Sequence, residues 1–326
     1  MKKTILISLL TTLLCSATYG ATLQRTILSH KGQLTTYDRN HWQEAINDAV
    51  AGDTIYFSPG AFGGNFTITK PITLIGAGMS EADVFWKDTN VAAAYEGCAT
   101  TGESTYLDAV TIAIPGSPTL TATLIEGVRL TGVSITEPVK NLKIKRCHIM
   151  YYSGGDGDWR GNFGASAQVT NLQLENCAVG TINLDNFVNP NIHNCYLHNI
   201  YYSPEEIEFV NCNIVSMSSI YNCSFINCIL RFWSSTGDNT CVNCINCNSW
   251  EEQTWVDSWN DDGFILTKAQ LIEKGYLGND GTVVGLLGGP APFTLIPSQP
   301  YVSSSSVTYN KTTKKLNVNV TVKKGQ

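Results

Sequence analysis

One short pattern recurs along this chain and restricts the folds that the chain can adopt. It runs apolar, x, apolar, x, Asn or Gly, then a small or apolar centre, x, apolar. In seven of eight segments the residue before the centre is Gly or Asn, the types that most readily take positive φ. The eight centres are Ala77, Val133, Cys147, Cys177, Cys195, Cys212, Cys228 and Cys244.

The position before each centre predicts a bend. Apolar residues alternate until three residues before the centre and resume at the centre itself, which a straight strand with a two-residue period cannot do. One residue in the left-handed region would bend the strand and keep both apolar halves facing inward. We therefore predict positive φ at Asn176, Asn194, Asn211 and Asn227, and a single interior row of centres.

The spacing of the centres predicts a coil of stacked strands. From Cys195 to Cys244 the steps are 17, 16 and 16 residues, which suits one turn of three short strands. Charged residues make up only 15% of the chain and helical periodicity is scarce, which argues against alternating strands and helices. The sequence therefore predicts an all-β solenoid of the parallel β-helix type.

Both ends of this solenoid carry patterns of their own. Residues 41–50 place Trp42 and Ile46 on one helical face, which predicts a helix that covers the open end of the coil. Residues 307–323 alternate apolar and polar side chains and predict a β-hairpin tail. The expected organisation is a signal peptide in 1–20, the β-helix with its N-terminal cap in 21–265, and a C-terminal cap with the hairpin in 266–326.

The N-terminus indicates export. Lys2 and Lys3 precede an apolar run that ends at Leu14 and is too short to span a bilayer. We expect a secreted, periplasmic or cell-surface protein. Lipidation at Cys15 is an alternative, although Leu14 is large where a lipobox takes a small residue. No second apolar stretch predicts a membrane span, and the net charge of −6 argues against nucleic acid or an anionic membrane as partner.

The cysteines allow three interpretations. Disulfides are usual in exported proteins. Six of the centres are cysteines, however, and stacked parallel side chains give poor disulfide geometry, so we predict buried reduced thiols that pack as small apolar groups. Zinc binding by Cys241, Cys244 and Cys247 has suitable spacing but is less favoured, because Cys241 and Cys244 fit the repeat.

A family resemblance supports this reading. Residues 45–78, AINDAVAGDTIYFSPGAFGGNFTITKPITLIGAG, are similar to the opening of right-handed β-helix proteins of the pectin-lyase-like superfamily, as are the Asn-Cys repeats of 176–247. Residues 280–293 resemble the closing segment of secreted members whose role is uncharacterised. The resemblance implies a right-handed coil and a bias toward polysaccharides. The superfamily includes lyases, hydrolases, esterases and non-enzymatic adhesins.

Catalytic signals are weak. Glycoside hydrolysis needs two carboxylates around the bond, and the pair Asp261 and Asp262 follows the repeats instead of lying on them. A lyase needs a base, for which Arg129 and Lys143 at one predicted outward position, with Lys145 nearby, are candidates. We therefore expect a non-catalytic glycan-binding or cell-surface module. The alternative is a polysaccharide lyase or glycoside hydrolase that acts on an acidic polysaccharide.

The candidate binding residues lie in the insertion 151–164 and in the Trp-rich segment 250–262. Asp156, Asp158 and Asn162 could ligate Ca²⁺ through oxygen, and no other cofactor is expected; an ordinary polar loop is the alternative. Tryptophan rings can stack on sugars or cap the core, and an arginine can bind a carboxylate. The candidate contacts to a polysaccharide or surface glycan are Trp159, Arg160, Trp255 and Trp259.

Other polar and aromatic residues leave alternatives open. His148 and His193 are predicted at outward positions on different strand halves, where a polar ladder is favoured over a ligand pair. The paired tyrosines could form a sugar-binding platform or pack beneath side loops. These are Tyr151, Tyr152, Tyr201 and Tyr202.

Overall fold

The computed structural model describes residues 24–81, 95–100, 102–116, 123–149, 151–153, 158–202, 206–231, 238–245, 266–310 and 313–325. The described chain is mostly β, with long parallel sheets. Its helices are short: α1 spans Trp42–Asp48 and α2 spans Lys268–Glu273.

Sheet 1 has eleven strands. In spatial order they are β2 (Gln33–Asp38), β1 (Arg25–His30), β3 (Thr54–Phe57), β6 (Thr73–Ile75), β9 (Leu124–Glu126), β13 (Lys143–Lys145), β19 (Gln173–Glu175), β22 (Asn191–His193), β24 (Glu208–Val210), β26 (Ser224–Ile226) and β28 (Thr240–Val242). The pairs that include β1 are antiparallel, and from β3 to β28 every pair is parallel.

Sheet 2 has twelve strands, all parallel. They are β4 (Gly60–Ala61), β5 (Phe66–Ile68), β7 (Thr105–Tyr106), β8 (Val110–Ile112), β10 (Arg129–Leu130), β11 (Gly132–Ile135), β14 (His148–Ile149), β17 (Asn162–Ala165), β20 (Ala178–Asn183), β23 (Tyr196–Tyr201), β25 (Asn213–Ser218) and β27 (Ile229–Leu230). Strand β20 pairs with β14 through its first half and with β17 through its second half, so two rows of short strands merge there.

The remaining strands form small sheets. Sheet 3 contains β12 (Val139–Lys140), β18 (Val169–Thr170) and β21 (Phe187–Val188). One hairpin pairs β15 (Tyr151–Ser153) with β16 (Asp158–Arg160). A longer hairpin pairs β29 (Tyr301–Asn310) with β30 (Lys315–Lys323), which confirms the predicted β-hairpin tail.

The chain returns to sheet 1 after each passage through sheet 2. From β19 it passes through β20 and comes back as β22, the neighbour of β19, and β22, β23 and β24 repeat this step. Each return adds one parallel strand beside the previous one. This order of strands is compatible with a parallel β-helix.

The predicted bends are present. Asn176, Asn194, Asn211 and Asn227 have φ of 55°, 51°, 52° and 54°. Each lies directly between a strand of sheet 1 and the passage into sheet 2. The cysteines that follow, among them Cys195, Cys212 and Cys228, are buried on successive turns, which confirms that they are stacked neighbours.

Two predicted centres were wrong. Ala77 is only half-buried and is not part of the interior cluster. Val133 lies in sheet 2, where it pairs with Val110 and Phe163, and neither Gly132 nor Gly76 has positive φ. The bend of that turn falls at Gly127, with φ of 67°. The alternation of apolar residues is the same in both sheets, so the pattern alone did not distinguish them. Arg129 and Lys143 therefore lie in different sheets and do not share an outward position.

The interior row of thiols is largely as predicted. Buried cysteine Sγ atoms donate to carbonyl oxygens of the preceding turn, as Cys195 does to Leu174 at 3.4 Å. Burial raises the pKa of the Cys147 and Cys195 thiols. The free cysteines among the described residues are Cys98, Cys147, Cys177, Cys195, Cys212, Cys223, Cys228 and Cys244.

Cys241 differs from the six cysteine centres. It is disulfide-bonded, and its partner lies outside the described residues. Cys241 is not one of the centres, all six of which are free, so the prediction of reduced thiols at the centres is confirmed. The template records only that the position is inward and does not record which sulfur atoms approach from elsewhere.

Helix α1 covers an end of the apolar interior, as predicted. Trp42 and Ile46 are buried, and the Trp42 ring packs edge-on against Phe66 at 5.3 Å and Phe57 at 5.8 Å. Such edge-on pairs of aromatic rings stabilise a core beyond their buried area. The domain boundaries expected at residues 20 and 265 lie outside the described residues and stay predictions.

Candidate functional site

A C-terminal segment, residues 276–298, lies across the bends of successive turns, and we call it the strap. Asn279 N–H donates to Asn227 Oδ1 at 3.2 Å, and the Asn227 amide donates back to Asn279 Oδ1 at 3.0 Å. Further along the strap, Thr294 N–H donates to Asn176 Oδ1 at 2.8 Å. Later strap residues contact earlier turns, so the strap runs against the order of the turns.

The strap is also held by apolar contacts. Its Val284, Leu286 and Phe293 are buried in a second cluster on the outside of the coil, together with Ile229 and Tyr95. The Asn213 amide donates to Tyr95 Oη at 2.5 Å, and Leu286 N–H donates to Asn213 Oδ1 at 3.0 Å. Burial raises the pKa of Tyr95 well above its ordinary value, so the phenol is neutral. The strap is therefore an integral layer of the fold.

A cleft of about 510 Å³ lies between the strap and the outer face of sheet 1. Strands β19, β22, β24 and β26 form its floor. Its lining residues are Gln173, Leu174, Glu175, Asn191, His193, Asn194, Val210, Asn211, Ile226, Asn227, Asn279, Asp280, Pro290 and Ala291.

Two carboxylates line the cleft, and both already have partners. Lys145 Nζ donates to Glu175 Oε2 at 2.5 Å, in an ion pair that is about one-quarter exposed. Asp280 Oδ1 accepts from the N–H of Thr282 at 2.9 Å and from its hydroxyl at 2.8 Å. Glu175 is directly paired in register with His193 on the next strand. The cleft therefore presents hydrogen-bonding groups with little unbalanced charge.

Asn211 differs from the other asparagines at the bends. The side chains of Asn176, Asn194 and Asn227 are bonded to the strap. Asn211 is 2% exposed, lines the same cleft, and its Oδ1 has no hydrogen-bond partner within the part of the chain that the structure describes. A buried acceptor without a donor is costly, so this oxygen is a marker of ligand or water binding.

The two histidines considered from the sequence, His148 and His193, lie in different surroundings. His193 is half-buried in the cleft, consistent with its predicted outward position. His148 faces outward as predicted, since its neighbours Cys147 and Ile149 belong to the interior cluster, but it is fully buried. Its backbone pairs with Arg129 and Ala178 in sheet 2, on the side where the strap adds an outer layer. Desolvation, with the nearby charge of Arg129, lowers the pKa of His148 well below its ordinary value.

The structure leaves most of the predicted binding residues untested. Asp156, Trp255 and Trp259 lie outside the described residues. Asp158, Trp159 and Arg160 form strand β16, for which the backbone pairing with β15 is described. Asn162 is exposed on β17 of sheet 2. Neither the glycan contacts nor the Ca²⁺ ligands are therefore decided.

Sequence reasoning missed the cleft. Lys145, Glu175 and His193 all come directly before a bend residue, a position that the repeat template shares. Comparing that one position across the turns would have placed a cation, a carboxylate and an imidazole in one outward row. The contribution of Asp280 had no comparable signal, since it comes from the strap.

Two searches for other site types gave negative results. Among the described residues, no three His, Cys, Asp or Glu side chains lie close enough together to hold a metal ion. No helix in the described ranges combines the length and apolar character that crossing a membrane requires.

Comparison with known proteins gave no family assignment. No protein family, curated protein or solved structure matched the chain at a significant level. The function is therefore inferred from the cleft and from the strands of sheet 1 that form its floor.

Proposed function

We propose that this chain is an exported, right-handed parallel β-helix protein that acts as a non-catalytic glycan-binding or cell-surface module. The observation that carries the proposal is a continuous outward row of polar side chains across sheet 1. The row follows the parallel register with turns roughly 4.8 Å apart, and it suits an extended, hydroxyl-rich polymer. Its members are Lys143, Gln173, Asn191, Glu208, Ser224 and Thr240.

The partners of the cleft carboxylates favour binding over catalysis. A general acid needs a carboxyl group that can carry a proton, and a nucleophile needs a free carboxylate. Glu175 is ion-paired with Lys145, and Asp280 accepts two hydrogen bonds from Thr282. In each carboxylate one oxygen atom is therefore already engaged by a partner from the fold.

One observation favours an enzymatic function as the second candidate. Glu175 and Asp280 line the same cleft from opposite sides, the strand and the strap, and paired carboxylates are the usual equipment for glycoside hydrolysis. The second candidate function is therefore a polysaccharide lyase or glycoside hydrolase that acts on an acidic polysaccharide.

The hairpin of β15 and β16 is the proposed second contact region. There Trp159 would stack on a sugar and Arg160 would bind a carboxylate, with Trp255 and Trp259 as further platforms. Ca²⁺, if required, would be held by oxygen atoms. Its proposed ligands are Asp156, Asp158 and Asn162.

The proposal is tested with a glycan array on the purified full chain, with and without Ca²⁺. We expect retention of at least one polysaccharide class and a clear loss of retention in Trp159→Ala. Ile272→Ala is the control, because Ile272 is 55% exposed on α2 and belongs to neither proposed contact region. Absence of retention on every glycan would contradict the proposal.

A separate assay distinguishes the enzymatic alternative. Bound polysaccharides are incubated with the protein, and unsaturated products and new reducing ends are measured. We expect neither to accumulate. Product formation that is lost in Glu175→Gln or Asp280→Asn would replace the binding proposal with the enzymatic one.

A further inference from the structure

The cleft contains a buried hydrogen-bond acceptor that the fold does not satisfy. Asn211 Oδ1 is shielded and has no donor within the described residues. The corresponding amides one turn away on each side, Asn194 and Asn227, are bonded to the strap. Asn227 Oδ1 and Asn176 Oδ1 each accept an N–H of the strap, so bend asparagines of other turns do have donors at this atom.

The strap cannot supply the missing donor in its observed position. Gly289 faces Asn211 so closely that a Cβ there would lie 2.2 Å from Asn211 Nδ2, and its φ of 75° also favours glycine. The N–H of Gly289 is already donated to Thr282 Oγ1 at 2.6 Å. The N–H of Leu286 is donated to Asn213. No donor of the described residues reaches Asn211 Oδ1, which leaves this acceptor open to a molecule in the cleft.

The cleft chemistry restricts what that molecule can be. Glu175 and Asp280 would repel an anion, and Lys145 is already paired with Glu175. A cation would find Glu175 neutralised by Lys145 and would meet only Asp280, whose Oδ1 already accepts two hydrogen bonds from Thr282. Amide groups of Gln173 and Asn191, together with the His193 imidazole, offer donors and acceptors to an uncharged polar ligand.

We infer that the cleft between the strap and sheet 1 binds a neutral sugar unit, one of whose hydroxyl groups donates to Asn211 Oδ1. The volume of about 510 Å³ is within the usual range of small-ligand sites. Sugar hydroxyls both donate and accept, which matches the mixed amide, carboxylate and imidazole lining. This inference rests on the proposed glycan-binding function and narrows it to uncharged glycans.

The test is calorimetric titration of the full chain with hexasaccharides of different charge. Cellohexaose, mannohexaose and chitohexaose are neutral, hexagalacturonate is anionic, and a glucosamine hexamer is cationic. We expect at least one neutral probe to bind at least about tenfold more tightly than both charged probes. The anionic probe would meet the charge of Asp280, and the cationic probe would lose the hydration of several ammonium groups for this one carboxylate.

Asn211→Gly tests whether Asn211 Oδ1 contributes to ligand binding. Glycine accepts the φ of 52° without strain, so the variant removes the acceptor and keeps the bend. We expect binding of the preferred neutral probe to weaken about three- to tenfold. Asn189→Gly is the matched control, since Asn189 is exposed, has φ of 50° and lies outside the cleft. Asn191→Ala, an exposed position on the cleft rim, gives a second weakening that does not depend on a buried residue.

Each outcome has a distinct meaning. Tighter binding of a charged probe, or unchanged affinity in both Asn211→Gly and Asn191→Ala, would overturn the inference while leaving glycan binding in place. That second result would mean that a water molecule satisfies Asn211. Absence of binding to every probe, in a protein that also retains no array glycan, would overturn the proposed function and this inference together.

Discussion

The side-chain amide of Asn194 donates a hydrogen bond of 2.7 Å to the carbonyl oxygen of Gly288, 94 residues later in the chain. The same amide also donates to the carbonyl oxygen of Leu286 at 3.2 Å. Its backbone, with φ of 51°, bends the strand at this point. One residue therefore both turns the coil and fixes the strap upon it.

Asn194→Gly separates these two roles. Glycine keeps the bend but leaves the buried Gly288 carbonyl without this donor, whereas the Leu286 carbonyl keeps the N–H of Phe293. We expect the free energy of unfolding to fall by about 2 kcal/mol, measured by urea denaturation. Asn171→Gly is the control, because Asn171 has φ of 56° but is exposed, and its side-chain amide donates to Oδ1 of the exposed Asn141. An equal loss of unfolding free energy in the two variants would contradict the stabilising role of the hydrogen bonds between Asn194 and the strap.

The bend itself is tested by comparing alanine with glycine at Asn227. Both variants lose the contacts with Asn279, but only alanine is strained at φ of 54°. We expect the alanine variant to be less stable than the glycine variant by about 1 kcal/mol in urea denaturation. At Thr181, inside β20, the order should reverse, because glycine in a strand costs about 0.5–1 kcal/mol relative to alanine. The same order at both sites would refute the bend argument.

Arg146 is the one bend residue that is charged. Its φ is 52°, and its Nη1 donates to the buried Glu126 carboxylate at 2.7 Å. Arg146→Gly would relieve backbone strain but leave Glu126 without its counter-charge. We expect a net loss of about 3 kcal/mol in unfolding free energy. Glu126→Gln should restore part of that loss in the double variant. A more stable Arg146→Gly protein would show that strain outweighs the ion pair.

His148 gives the fold a dependence on pH. Burial and the charge of Arg129 hold its pKa well below the ordinary value. At low pH the unfolded chain therefore protonates His148 while the folded chain keeps it neutral. The free energy of unfolding is thus highest above about pH 6.5 and decreases as the pH falls below that value.

His148→Gln should remove this part of the acid sensitivity. Between about pH 7.5 and about pH 5.5 we expect the wild-type protein to lose more stability than the variant, by on the order of 1 kcal/mol, from urea denaturation at each pH. His41→Gln is the control with the opposite sign, because Asp38 raises the pKa of the exposed His41. An identical dependence of unfolding free energy on pH in the wild type and in His148→Gln would contradict the lowered pKa of His148.

The thiol row is tested by alkylation and mass spectrometry without reductant. In denaturant we expect modification at the eight free cysteines of the described chain. In native buffer the row from Cys147 to Cys244 should react far more slowly, because its thiols are buried and burial raises the pKa of several of them. Disulfide-linked peptides that contain Cys195 or Cys212 would disprove the packing argument.

The predictability of the fold came from its repetition. At Cys177, Cys195, Cys212 and Cys228 the same local pattern recurs, and each instance makes the same requirement of the backbone, so independent turns agree. Where the repeat is irregular the prediction failed: Val133 was assigned to the wrong sheet, because alternation is identical in strands of either sheet.

The candidate site was less predictable. Glu175 and His193 are neighbours across β19 and β22. Both directly precede a bend residue in the repeat, so their proximity could have been predicted from the sequence. Asp280 joins them only because the strap folds back over the turns. No local pattern states where a segment one hundred residues later will lie, since that is fixed by the buried surface and hydrogen bonds that it gains there.

The sequence by itself determined the bends, the interior thiol row, the end helix and the hairpin tail, since each depends on residues near one another in the chain or on a fixed period. Only the tertiary structure decided that the strap lies on the bend asparagines, that His148 is covered, and that Asn211 Oδ1 has no donor within the described part of the chain. These features arise from long-range packing, in which the position of each group depends on atoms supplied by distant parts of the chain.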